Sequence, residues 1–464
     1  MYNVFTLWFK MGMQNKSGSA ISRWIPFIAL VRARILAPDF CERHRRSTRD
    51  FTRKRLLTFP VVMLLLLQKT TKSVQRHLHS FCHELWPQPD ERSVTPGGWT
   101  QARAKLSHTA FIELNQEVLL PCFYGPEQAA HRRQWRGHRL LGCEGSLLRL
   151  PSHPGVVEIF GSLAVANHLG ETGTCYTPAR LSVLYDLLNH LGLDARLAPV
   201  AVGETDLLAG QLGQLERNDV LIWDRGFTGF VLMARALARG AHFVGRCSKG
   251  SFAAAQDLFR ADRGGHSQRV KLVAAREQRA ELKELGLPHE LTVRFVSLRL
   301  PSGELEVLVT SLLEETLYPT REFLEVYHWR WQHETYHHML KGRLDLENWS
   351  GQTVEAVRQD VQAAVFVSNL ESLLSQEAQE ALSAEDAGRQ YPAQVNRADS
   401  YHALKERMLD LLWSQRPLEE VLEEMQRWMR SNPVSVRHNR KVPRRPPSFH
   451  RSYHHQRNLR KSVF

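Results

Sequence analysis

Acidic side chains run out at Glu424: no Asp or Glu follows it before the chain ends at Phe464. That stretch carries Arg427, Arg430, Arg437, Arg440, Lys441, Arg444, Arg445, Arg451, Arg457, Arg460 and Lys461, eleven cations in a chain of 464 residues whose net charge is +13. An unopposed run of one sign argues against a cationic partner and points to a polyanion, either nucleic acid or an anionic membrane surface. Cations strung along a phosphate backbone release counterions on binding, so a phosphate-binding extension is expected here. Trp428, Phe449, Tyr453 and Phe464 give it groups with which to dock. Cysteine is also sparse. Six residues stand singly, at Cys41, Cys82, Cys122, Cys143, Cys175 and Cys247, with no CxxC pair. This argues against a structural zinc site and fits a reducing cytosol. Long apolar runs are missing too. The longest, Leu56 to Leu67, is broken by Pro60, whereas a membrane span needs about 20 residues. It reads as a buried helix. The opening residues show no signal-cleavage pattern, and a cytoplasmic location without membrane contact is expected.

What is present is a length that suggests two to four domains and an apolar share, 43% of residues, typical of a folded globular chain. Residues 1 to about 135 read as a helical region. Arg43, Arg45, Arg46, Arg49, Arg53, Lys54 and Arg55 form a basic cluster ahead of the apolar helix. DNA binding is the expectation for this region, beside the plainer reading of a bundle with a charged face. From 136 to about 375 the texture is α/β. Strands are expected from Arg139, over Ala179 to Asp186, and over Leu193 to Val200, followed by a helix over Thr205 to Leu215. A short apolar strand at Asp219 to Asp224, a helix at Phe230 to Ala238 and a strand from His242 complete a sheet covered by helices. Residues 250 to 316 break that rhythm and read as a β-rich insertion. Its clearest part is a hairpin whose strands flank Pro301-Ser-Gly-Glu. A single long helix is expected from Thr320 through Lys341, another over Val361 to Leu374, and a helical then basic region over 376 to 464.

Three carboxylates end or interrupt apolar structure. Glu144 follows Leu140-Leu-Gly-Cys, Asp224 follows Val220-Leu-Ile-Trp, and Glu334 sits in Tyr327-His-Trp-Arg-Trp-Gln-His-Glu. A carboxylate at the end of a buried strand is costly unless a positive charge faces it, and a divalent cation is a natural partner. Two hard cations held by acidic groups can serve both oxygens of an in-line phosphoryl displacement. One Asp at a strand end is more often a cap. The set gains weight from Tyr327, Arg330, Glu334 and Lys341, which on an ideal helix at about 100° per residue fall within roughly 60° of one another. Phe323 shares that stripe, and His337 and His338 lie at its edges. A metal-binding carboxylate flanked by groups that grip phosphate is the chemistry such a line suits.

The spacing Tyr327-x2-Arg330-x3-Glu334-x6-Lys341 resembles the YREK signature of the IS4-family transposases. Asp224-Arg-Gly-Phe resembles that family's second-acid motif, and Glu144-Gly-Ser with Arg149-Leu-Pro its first. The insertion between the second and third acids is also similar, and the likeness runs from about Phe51 to the C terminus. The resemblance implies a ribonuclease H-like core within an α/β fold and a DDE-type site. Glu144, Asp224 and Glu334 would be its Mg2+ ligands, with Mn2+ able to substitute. It further implies that Tyr327, Arg330 and Lys341 contact the transposon-end backbone, with Arg225, Arg444 and Arg445 as further DNA contacts. The expected partners are double-stranded DNA, as terminal inverted repeats and target, and a second copy of the chain in a synaptic dimer. The implied reaction is 3′-hydroxyl release followed by strand transfer.

Two departures stand out. The family has Asp where this chain has Glu144, and an extra methylene moves the carboxylate by about 1.5 Å. Glu158 and Asp186 are the nearby acids to test in its place. The insertion offers only Phe252, Phe259 and Phe295 for stacking a flipped base, with no Trp or Tyr. Residues 1 to about 45 resemble no part of the family. Two rivals compete. His333-Glu-Thr-Tyr-His337 fits the zinc-hydrolase pattern HExxH, with Glu355 as a third ligand. Alternatively, a site weakened by Glu144 leaves a DNA-binding relic or repressor.

Overall fold

The computed structural model describes residues 22–53, 55–69, 73–86, 94–166, 172–385 and 390–436. The basic tail from Arg437 onward, including Arg444 and Arg445, lies outside them, as does Lys54.

Nine strands form one sheet in the order β2-β3-β1-β5-β6-β9-β8-β7, with β4 on β3. The strands are β1 (Leu140–Leu150), β2 (Leu163–Ala166), β3 (Thr172–Asp186), β4 (Leu191–Pro199), β5 (Val220–Trp223), β6 (His242–Arg246), β7 (His266–Val273), β8 (Glu290–Arg299) and β9 (Leu305–Thr310). β3 runs antiparallel to both β1 and β4, whereas β1, β5 and β6 are mutually parallel neighbours. The order β4-β3-β1-β5-β6, with β3 reversed, is the ribonuclease H-like core. All four residues of β5 are buried, as a continuous apolar strand covered on both faces requires.

The insertion is not a detached unit. β9 pairs antiparallel with β6, so the hairpin prolongs the core sheet. Its turn falls where the sequence marks it. Gly303 takes φ +87, a conformation other residues resist. The strand β7 and the helices Ala253–Ala261 and Arg279–Glu284 complete the segment.

The main helices are α1 (Ile25–Leu36), α2 (Phe59–Leu67), α3 (Glu204–Gln211), α4 (Phe230–Ala238), α5 (Phe323–His328), α6 (Trp331–Gly342), α7 (Val354–Glu385) and α8 (Leu418–Ser431). The single helix expected from Thr320 to Lys341 is three pieces: a 3₁₀ turn at Thr320–Glu322, then α5, then α6. Short i→i−3 bonds replace the α-helical pattern at the joint. Arg330 N donates to Tyr327 O (3.1 Å), Gln332 N to Trp329 O (2.9 Å) and His333 N to Arg330 O (2.9 Å). Such tightening re-aims side chains within one turn. Helix α7 is longer than the sequence suggests and runs through position 375, where a boundary is expected. It packs on β4, on α8 and on α2.

Eight of the nine side chains of α2 are buried, which accounts for its uninterrupted apolar character. No helix among the described residues is long and apolar enough to cross a membrane. The N-terminal helices are tied to α7 by a buried charge cluster. Asp360 accepts hydrogen bonds from Arg103 Nη2 (3.2 Å), Ser350 N (2.7 Å) and Ser350 Oγ (2.6 Å), with Lys69 Nζ at 3.5 Å. A second cluster consumes part of the expected basic surface: Arg43 and Arg34 both bind Glu113, joined by His44 Nε2 at 2.7 Å. Arg46, Arg49, Arg53 and Arg55 remain exposed on the loop before α2.

Asp360→Ala leaves Lys69 and Arg103 buried without their counter-charge and is expected to lower stability by about 3–5 kcal/mol, read from urea unfolding. Glu113 supplies an acid dependence. Burial alone would raise its carboxyl, but hydrogen bonds from Arg43, His44 and Arg34 hold it down to about 2, against an ordinary 4.5. Its contribution is therefore complete above 4.5 and fades as pH falls toward 2. Glu113→Gln is expected to flatten the loss of urea resistance across that acid window.

Candidate active site

β1 and β5 run parallel in a register that sets Leu140 beside Val220 and Gly142 beside Ile222. Continued by two residues, the same register brings Glu144 level with Asp224. The first four residues of β1 are buried and Glu144 is the first half-exposed one. Asp224 directly follows β5 and caps the turn Arg225–Phe227, its Oδ1 accepting from the Arg225 amide at 2.8 Å. Both acids thus stand where the covered part of the sheet gives way to solvent, where a charge can keep some hydration. Open α/β sheets commonly place ligands beyond the carboxyl ends of their parallel strands.

Helices α5 and α6 lay the third acid against these two. The break between them does not scatter the stripe, because all its polar groups still face the ends of β1 and β5. Tyr327 Oη donates to Asp224 Oδ1 at 3.3 Å. Arg330 Nη2 donates to Glu334 Oε1 at 2.8 Å, and Nη1 to Glu144 Oε2 at 3.5 Å. Lys341 Nζ donates to the carbonyl of Leu147, three residues beyond Glu144 on β1, at 2.7 Å. Arg330 is the buried member, with a side chain 8% exposed, against 30% for Glu144, 37% for Glu334 and 39% for Asp224. Its guanidinium carbon lies 5.6 Å from the Tyr327 ring and 5.5 Å from that of Trp331. Burial alone would disfavour the cation, but Tyr327, Asp224, Glu144 and Glu334 around it hold its pKa above the ordinary value. Burial likewise lowers Lys341 and raises Tyr327.

Oxygen-only donors suit a hard divalent cation such as Mg2+. Their present spacing does not: among the described residues no three His, Cys, Asp or Glu side chains stand close enough to share one metal. The positive charge between Glu144 and Glu334 is the Arg330 guanidinium.

The substitutes considered for Glu144 are placed elsewhere. Asp186 is buried at the end of β3, accepting from Tyr124 Oη (2.7 Å) and from the amides of Leu188 and Asn189. Glu158 is exposed on the helix Pro154–Phe160. The HExxH pattern lacks a third ligand, because Glu355 is engaged by His108 N (2.6 Å) and faces its Nδ1 (2.9 Å). His333 and His337 instead set their Nε2 atoms against the carbonyls of Val183 (2.8 Å) and Glu144 (3.2 Å). His333 is wholly buried, with Nδ1 3.7 Å from Glu144 Oε2. Phe295 is core, in edge contact with Phe252.

The sequence reading misses Arg246. It ends β6, the next parallel strand, with Nη1 3.8 Å from Asp224 Oδ1, and its other amine pairs with Glu306. With Arg225, Lys249, Arg299 and Phe259 it lines a cavity of about 280 Å3 between the acid and the insertion. Asking what ends each parallel strand would have found it.

Residues 166–370 match the family model of the transposase DDE domain. Over that stretch, which is less than half of the chain, the sequence is similar to a DDE transposase domain. Asp224, Tyr327, Arg330, Glu334 and Lys341 fall inside the matched stretch, and Glu144 precedes it. The chain is 23% identical over 282 residues to transposase InsG for insertion sequence element IS4 of Escherichia coli (strain K12), covering 60% of each. It is 31% identical over 93 residues to the InsZ protein of the same organism, covering 20% of this chain and 30% of that one. The chain thus spans less than two thirds of either relative. A solved piggyBac transposase synaptic complex with hairpin DNA superposes with a TM-score of 0.44 at 9% identity, over 93% of this chain and 90% of that chain.

Gly142 lies two residues before Glu144, where a Cβ would meet Leu187 Cδ2 at 2.8 Å and His333 Cδ2 at 3.2 Å. Gly142→Ala is expected to cost about 1–3 kcal/mol in urea unfolding. It should also move the His333 imidazole resonances while leaving those of the exposed His338 in place.

Proposed function

We propose that this chain is an IS4-family DNA transposase that carries out cut-and-paste transposition by metal-dependent phosphoryl transfer at transposon ends. The observation that carries the reading is the convergence of Glu144, Asp224 and Glu334, from β1, the end of β5 and α6, upon the Tyr327 and Arg330 side chains. A phosphoryl-transfer site needs acidic oxygens for cations next to basic groups for phosphate oxygens, and both kinds meet here.

In this reading the three carboxylates hold Mg2+, with Mn2+ as substitute. Such a cation, when bound, supplies activation of the attacking oxygen and stabilisation of charge on the displaced one. Tyr327, Arg330, Lys341 and Arg225 grip the transposon-end backbone, and Arg444 and Arg445 extend that contact along the tail. The net charge of +13 and the exposed arginines before α2 favour double-stranded DNA as partner. Homodimeric synapsis of two terminal inverted repeats, capture of target DNA and a cytoplasmic location belong to the same proposal.

The test is cleavage of duplexes that end in the inverted repeats flanking the gene, with Mg2+ or Mn2+. The unaltered chain is expected to nick at the repeat boundary. Asp224→Asn and Glu334→Gln are expected to abolish nicking while DNA retention in gel shifts persists. Glu144→Asp shifts a ligand by about a bond length and is expected to change the rate by up to about a hundredfold. Nicking by Glu144→Asp alone, with a silent parent, would instead favour the relic or repressor.

A further inference from the structure

The positive charge at the centre of this site belongs to the protein itself. Arg330 is the most buried member of the cluster, and it bridges Glu334 at 2.8 Å and Glu144 at 3.5 Å. These are two of the three acids that the proposed function assigns to metal, so the role inferred for Arg330 rests on that reading. With the guanidinium in place, a divalent cation at the same oxygens would meet a like charge at close range in a partly desolvated pocket. With it gone, two carboxylates would face each other unscreened. The protein therefore has a reason to keep Arg330 inside until something replaces it.

The guanidinium is also incompletely satisfied. Its Nε is buried with no hydrogen-bond partner among the described residues, and the contact to Glu144 is long. A DNA phosphate offers this fork the bidentate acceptor that the present pairing does not. Nearby aromatic faces make withdrawal feasible. The Tyr327 ring lies beside the guanidinium, and so does that of Trp331, which is 43% exposed. The joint between α5 and α6, with its 3₁₀-type bonds centred on Arg330, puts the residue at a point where a small backbone change re-aims the side chain.

We propose that Arg330 is an internal counter-ion that competes with the divalent cation for Glu144 and Glu334, and that a DNA phosphate relieves this competition by drawing the guanidinium away. DNA binding and metal binding are then coupled through one side chain. By linkage the coupling is reciprocal: DNA tightens metal, and metal tightens DNA. The consequence for the reaction is protective, because the acids are neutralised in the free protein and become a metal site when a phosphate backbone is present.

The experiment measures Mn2+ binding to the full chain from the electron paramagnetic resonance signal of free Mn2+, with and without a mixed-sequence DNA duplex. Four proteins are compared: the unaltered chain, Arg330→Gln, Arg330→Ala and Glu334→Gln. DNA is expected to tighten Mn2+ on the unaltered chain by about tenfold. Arg330→Gln, which keeps much of the side-chain volume, is expected to tighten Mn2+ by a similar factor without DNA and to lose most of the DNA effect. Arg330→Ala should do the same and guards against a volume artefact. The proposal is overturned if both variants bind Mn2+ no better than the parent in the absence of DNA, or if DNA leaves the parent's affinity unchanged. Failure of the underlying metal-site reading looks different: Glu334→Gln would then leave Mn2+ binding intact in every condition.

Discussion

A guanidinium buried among three carboxylates sets the terms for the rest of this structure. Arg330 cannot be placed there without acids to offset its desolvation, and the acids cannot crowd one another without the cation. Each partner comes from a different element, so the cluster requires three separate pieces of backbone to agree. The parallel register of β1 and β5 puts Glu144 and Asp224 level. The antiparallel arm β3 fixes β1 from its other side and gives His333 the Val183 carbonyl to rest on. Helix α6 then delivers Glu334 one turn beyond Arg330. A one-residue slip between β1 and β5 would turn one acid to the opposite face and leave the guanidinium with two of its three counter-charges.

Most of this was legible in the sequence because the strands there are short and continuously apolar. Val220 to Trp223 has no polar position at all, so it reads as a strand covered on both faces, and the acid that follows it must mark an exit from the core. The four-residue spacing from Arg330 to Glu334 likewise gives a contact the structure realises. The joint at Trp329 and Arg330 was not legible. Its residues are ordinary helix formers, and no Pro or Gly marks the break, so an uninterrupted helix is the natural reading. What re-aims Arg330 is tertiary: its guanidinium turns inward to acids that lie 106 and 186 positions away in sequence, a relation no local pattern encodes. The same limit explains β7 and Arg246. Pairing of β9 with β6 across the insertion joins segments separated by about sixty residues, and Arg246 acquires Glu306 as a neighbour through it.

The two histidines of α6 show how one local pattern can serve different chemistry. In HExxH, both rings would turn toward a common metal. Here the rings lie 4.7 Å apart and each commits Nε2 to a backbone carbonyl on the sheet. Burial pushes the His337 imidazole well below its usual range, so it stays neutral and donates to the Glu144 carbonyl rather than adding another cation. These residues fasten the helix to β1 and β3, and the spacing of the pattern arises because i and i+4 share the face that meets the sheet.

Glu144 is where the chain departs from the IS4-family pattern that it resembles, and its surroundings bear on what the longer side chain does. An Asp at the same Cα would hold its carboxylate back by about 1.5 Å. The present Oε2 stands 3.5 Å from Arg330 Nη1 and 3.7 Å from His333 Nδ1. Pulled back by a bond length, it would have no hydrogen-bond contact with either. The guanidinium would then lean on Glu334 alone, and the buried Nδ1 of His333 would face a wider gap. The extra methylene therefore strengthens the cluster as an ion-paired assembly, which pure drift after loss of function has no reason to do. That gain has a consequence for chemistry. An acid better matched to Arg330 is harder to release to any other cation, so the length of residue 144 and the hold of Arg330 act on the same equilibrium from opposite ends.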